Sequence, residues 1–109
     1  MGNMIACQKA ARELHTWLEQ QNLPDGYRIT DAMDSHCFRV VNDRGDGISV
    51  AYPPDAMGNR EMDGPVPSTI ETMLIRSNEL AYDDELDYSD VLRFNSYDEL
   101  LSEVQRICV

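Results

Sequence analysis

The chain has 109 residues, 42% of them hydrophobic, which suits one domain around one core and is too apolar for a disordered chain. Twenty acidic residues against nine basic ones give a formal net charge of −11. That charge repels nucleic-acid phosphates and anionic membrane surfaces, and it favours basic protein partners.

No apolar run approaches the roughly 20 residues that span a bilayer. Polar residues run through the first predicted helix, so no signal peptide is expected. Cys7, Cys37 and Cys108 form no C-x-x-C pair, which suits thiols used as small apolar side chains in a reducing compartment. The expected location is cytoplasmic, or the host cytoplasm if the source is a phage or mobile element.

Asn3 is placed to cap the first helix. Met4, Cys7, Ala10, Ala11, Leu14, Trp17 and Leu18 then share one face at 3.6-residue periodicity, with Ile5 the one apolar residue outside it. Trp17 is expected to bury against the sheet. Lys9/Glu13 and His15/Glu19 are i,i+4 pairs, and Asn22, Pro24 and the Pro24-Asp25-Gly26 turn end the helix.

Tyr27 to Met33 alternates weakly like a strand, and Asp34-Ser35 reads as a turn. His36 to Val41 is a clearer strand, with Phe38 and Val40 on one face and Cys37, Arg39 and Val41 on the other. Asn42 to Gly47 is the strongest hairpin loop, and Ile48 to Tyr52 returns from it. Pro53 to Ser68 is long and irregular, with four of the five prolines. Thr69 to Arg76 and Glu79 to Tyr82 flank Ser77-Asn78 as a second hairpin, although no glycine marks the turn.

From Glu79 to Asp90 six acids stand with no base among them: Glu79, Asp83, Asp84, Glu85, Asp87 and Asp90. Tyr82, Leu86 and Tyr88 interleave with them, either as core anchors or as contact residues at an interface, where tyrosine is enriched. Val91 to Phe94 reads as a short strand, and Arg93 is the first base available to offset the acids.

Ser96-Tyr97-Asp98-Glu99 is a capping box. The Ser96 hydroxyl accepts the Glu99 N–H, and the Glu99 carboxylate reaches back to the Ser96 N–H. Tyr97, Leu100, Leu101, Val104, Ile107 and Cys108 form the apolar face of the helix that follows. Asp98, Glu99, Ser102, Glu103, Gln105 and Arg106 lie opposite. The order is α-β-β-β-loop-β-β-β-α. It predicts a single α+β domain over residues 1–109, an antiparallel sheet of about four to six strands with both helices on one face.

No catalytic residue, cofactor or metal is expected. Strand neighbours His36 and Cys37 point to opposite faces, and Cys7 and His15 lie about two helical turns apart. No H-x-x-x-H or paired-cysteine spacing marks a zinc site. The carboxylates near Asp43 and Asp83 lack the EF-hand pattern. Arg44-Gly45-Asp46 is turn chemistry in a hairpin.

These features point to a small acidic non-catalytic protein that occupies a basic surface of a macromolecular partner, a nucleic-acid-binding protein being one such surface. Inhibitors, immunity proteins and phage anti-defence proteins have this size and charge, and spaced carboxylates can imitate nucleic-acid phosphates. The predicted contact residues are Glu79, Asp83, Asp84, Glu85, Asp87, Tyr88 and Asp90. Two alternatives stand beside this: an enzyme or small-ligand binder built near His36, Arg39 and the proline-rich loop, and a structural subunit such as a homodimer.

Overall fold

The computed structural model describes residues 4–31, 36–53 and 69–108. The Asn3 cap, the Asp34-Ser35 turn and most of the proline-rich segment lie outside them. Helix α1 (Met4–Glu19) buries Cys7, Ala11, Leu14 and Leu18, the stripe that its 3.6-residue period dictates. Ile5, off that stripe, is 51% exposed. Trp17 is half-buried: it packs against the core cluster that the strands and helices share, and its ring also lies 5.0 Å from that of Tyr97.

The chain then turns at Pro24, whose carbonyl accepts the Tyr27 N–H at 3.2 Å. Strands β1 (Arg28–Asp31), β2 (Cys37–Val41), β3 (Gly47–Ala51) and β4 (Ile70–Arg76) follow as neighbours in that order, every pair antiparallel. The alternation of β2 sets the sheet's two faces. Phe38 and Val40 pair with Val50 and Ile48, which pair in turn with Thr72 and Leu74. These six side chains form the floor of the core, each 2% exposed or less. Fully burying one such aliphatic side chain stabilises by roughly 1.5–3 kcal/mol.

The β2–β3 loop folds around Asn42. Its side-chain oxygen accepts the N–H groups of Arg44 at 2.9 Å and Asp46 at 3.1 Å. Gly45 there has φ +79°, and a Cβ would meet the Asn78 side chain at 2.5 Å, because the Ser77-Asn78 turn docks on this loop. Asn78 N–H donates to the Gly45 carbonyl and Ser77 N–H to the Asp46 carboxylate. Ser77 and Asn78 carry φ of 53° and 68°, so the two-residue turn predicted there forms without glycine. Those bonds to the neighbouring loop offset the cost of positive φ at two non-glycine residues.

Strands β5 (Glu79–Ala81) and β6 (Leu92–Phe94) complete a six-stranded sheet, and both pair with β4. Helix α2 (Tyr97–Ile107) starts at Ser96, whose hydroxyl accepts the Glu99 N–H at 3.1 Å. The Glu99 carboxylate takes the Asn95 N–H at 3.0 Å, one residue earlier than the Ser96 N–H expected. Ser96→Ala should lower stability by roughly 0.5–2 kcal/mol. Urea midpoints check this, and an unchanged midpoint at constant m-value would show that the cap is not where the helix gains its start.

Both helices press on one face of the sheet. Cys7, Leu14 and Leu18 of α1 and Leu100, Val104 and Ile107 of α2 join the strand residues in one cluster. The fold is the α+β arrangement that the order of elements predicts.

Candidate functional site

Strands β5 and β6 lie end to end along one edge of β4. Ala81 faces Leu74 and Leu92 faces Thr72. Between them Tyr82 to Val91 is looped out of the sheet, and this excursion carries most of the acidic run.

Local hydrogen bonds shape the excursion. Asp83 and Tyr88 exchange backbone bonds of 2.9 Å each across its neck. The Asp83 carboxylate caps a single 3-10 turn (Asp84–Leu86) by accepting the Glu85 N–H at 3.0 Å. Asp87 ends that turn at φ 66°, a conformation that aspartate tolerates better than most residues. Asp90 accepts the Val91 N–H at 2.8 Å. Part of the acidity is therefore turn chemistry.

Tyr88 anchors the excursion to the body. The sequence predicts it on the contact surface, but it is 0% exposed and cannot itself touch a partner. Its neighbours form a cavity for a phenol with polar groups at the far end. The hydroxyl donates to Glu103 Oε2 at 2.6 Å and lies 2.8 Å from Thr72 Oγ1. A carboxylate only accepts, so the Thr72 hydroxyl is the donor in the second bond.

Glu103 is the second departure. Its helical position places it among polar residues, yet it is 6% exposed. Arg106 grips it in a two-pronged pair, Nε to Oε1 and Nη2 to Oε2, both 2.7 Å. The same Nη2 donates to the Leu86 carbonyl at 2.9 Å. One polar chain thus runs from β4 through Tyr88 to α2 and back to the 3-10 turn. Burial, followed by the bond to Glu103, pushes the Tyr88 phenol well above its usual range.

Outside that anchor the excursion faces solvent. Glu79, Asp84, Glu85, Asp87 and Asp90 are exposed and Asp83 is half-buried. Among the described residues no lysine or arginine forms an ion pair with any of the six. Arg93, expected to relieve them, pairs with Glu71 at 3.0 Å on β4 instead. Tyr82 is 73% exposed and Leu80 61%, and both line one shallow depression. The sequence does not single out Leu80 or the Glu103–Arg106 pair, whose only signals are the i,i+2 spacing of Leu80 and Tyr82 and the i,i+3 spacing of the ion pair.

The other candidates do not converge among the described residues. Arg39 donates to the Asn78 carbonyl at 3.2 Å, and the proline-rich loop beside the proposed dispersed site lies largely outside them. His15 sits between Glu19 at 3.2 Å and Asp31 at 3.3 Å, with its ring 5.4 Å from that of Phe38. Cys7 and Cys108 are fully buried, and burial raises both thiols, Cys108 to about 12, so they stay protonated at neutral pH. Asp43 pairs with Arg28 at 2.8 Å and Asp46 with Arg44 at 3.4 Å. No three His, Cys, Asp or Glu side chains gather as a metal site among the described residues. No described helix is long and apolar enough to cross a membrane.

The chain matches no protein-family model, and searches of curated proteins and of solved structures find no similar protein.

Proposed function

We propose that this is a non-catalytic binding protein that occupies a basic surface of a macromolecular partner through the segment from Glu79 to Asp90. One observation carries the reading. Exposed Leu80 and Tyr82 stand beside carboxylates that form no ion pair with a described lysine or arginine, on a segment pinned from beneath by Tyr88.

The physical argument is one of avoidable cost. Two like charges about 8 Å apart repel by roughly 0.5 kcal/mol in water-like surroundings, before salt screening. The turn needs Asp83, Asp87 and Asp90 only as short acceptors or as residues at ease with positive φ, and asparagine fills those roles uncharged. Glu79, Asp84 and Glu85 have no such duty in the hydrogen-bond pattern. A rigid platform also spares the binding step the ordering cost of a loose loop. An inhibitor, immunity or phage anti-defence protein, with carboxylates in the place of nucleic-acid phosphates, is the kind of binder this chemistry suits.

The test uses the quadruple change Asp83→Asn, Asp84→Asn, Glu85→Gln and Asp87→Asn. The fold should remain as stable or become slightly more so, as thermal melting reads. Association with a partner recovered from lysate by salt elution should slow by about tenfold or more at low salt, and the gap should close as salt rises. Wild-type association kinetics in the variant would remove this segment as the docking surface.

A further inference from the structure

The sheet face turned away from the helices is not featureless next to the excursion. Ala51 on β3, Met73 on β4, and Leu80 and Tyr82 bound a depression of about 210 Å³, with Glu71 and Asp90 at its rim. Leu80 reaches this face because it pairs with Ile75, two residues along β4 from Met73. Of the large hydrophobic residues exposed among those described, only Ile5 lies elsewhere, on α1.

We infer that this depression receives one apolar side chain of the basic partner, flanked by lysine or arginine residues that meet the carboxylates of the excursion. The inference rests on the proposed function and specifies the partner's chemistry. Two observations carry it. The volume falls below the roughly 300–1,000 Å³ of sites that enclose a drug-sized ligand. It suits a single anchoring side chain of the kind that dominates interface energy. The rim is acidic: Asp90 has no ion pair among the described residues, while Arg93 already holds Glu71 at 3.0 Å. A second copy of this chain is a poor occupant, because a face bearing a net charge of −11 behind it would meet its own carboxylates.

The probes are two heptapeptides of lysine and arginine, one with a central phenylalanine and one with alanine in its place. Each is titrated into the ¹⁵N-labelled protein at low salt, and amide shifts are followed by NMR. The phenylalanine peptide should bind about tenfold more tightly, as burial of one anchor implies. It should move the amides of Ala51, Met73, Leu80 and Tyr82 as well as those from Asp83 to Asp90. Tyr82→Ala should erase the difference between the two peptides. Equal affinities, with shifts confined to Asp83–Asp90, would overturn the anchoring depression and leave the acidic docking surface standing. Shifts from both peptides confined to residues outside the depression and outside Glu79–Asp90 would overturn both.

Discussion

Arg106→Ala should lower stability at neutral pH by about 3 kcal/mol, the lower end of what removing one partner of a buried ion pair costs. The value is not higher because the Arg106 side chain is itself 38% exposed, and water can enter where the guanidinium lay. What remains is the Glu103 carboxylate, 6% exposed, with the Tyr88 hydroxyl as its one remaining donor. The 3-10 turn also loses the bond to the Leu86 carbonyl.

A second change separates charge from packing. Adding Glu103→Gln to Arg106→Ala removes the stranded charge and should recover at least half of the loss, since a neutral amide costs less to bury than an unpaired carboxylate. Urea midpoints of the wild type, single and double variants measure this. Hydrogen exchange should show the amides from Asp84 to Tyr88 losing protection in the single variant. An unchanged midpoint in Arg106→Ala would mean that the Glu103–Arg106 pair contributes nothing to stability.

The second large effect is alkaline unfolding. Burial raises the Cys108 thiol from near 9.0 to about 12 and the Tyr52 phenol from near 10.0 to about 12. Cys7 and Tyr88 shift in the same direction, in each case with burial as the leading cause. In the unfolded chain these groups lose their protons near pH 9 and 10, while in the fold they keep them. Between those values and about pH 12 the unfolded chain holds fewer protons, so stability must fall as pH rises.

The stability from these groups is therefore fully present below about pH 9. For Cys108 alone the loss by pH 12 is on the order of 4 kcal/mol. Several such groups together rival the roughly 5–15 kcal/mol that holds a domain folded. The protein should unfold cooperatively between about pH 10 and 12, as far-ultraviolet circular dichroism reads. The tyrosinate absorbance step removed by Tyr88→Phe should coincide with that transition. Native dichroism at pH 12 would contradict the burial on which this prediction rests.

The scaffold was legible wherever a short-range rule decides the outcome. Ser96 caps α2 because hydroxyl and amide lie three residues apart, and Phe38 and Val40 face the core because strand alternation leaves no other choice. Asn42 organises its hairpin through bonds within four residues. The site was legible only in part. Six acids without a base could be counted, but Tyr82 and Tyr88 are indistinguishable by composition. Their opposite fates, 73% and 0% exposed, follow from where the chain leaves and rejoins β4. Alternation cannot be carried through a segment that leaves the ladder.

Glu103 shows the same limit in a helix. A helical wheel places it beside Ser102 and Gln105, yet it is buried because Tyr88, fifteen residues earlier, brings a hydroxyl to it. Arg106 then supplies the opposite charge from the next turn. Only the tertiary pairing of the excursion with α2 creates a place for a carboxylate there. Trp17 shows a related limit: periodicity places it on the apolar face of α1, but the approach of its ring to Tyr97 of α2 comes only with the pairing of the two helices.

The most direct measurement is a hydrogen-exchange footprint of the protein with and without its bound partner, taken at low salt. The account predicts that protection appears at the backbone amides from Glu79 to Val91 and fades as ionic strength is raised. Protection confined to the outer face of α1 or to the β1 edge, with the exchange of Glu79–Val91 unchanged, would contradict it.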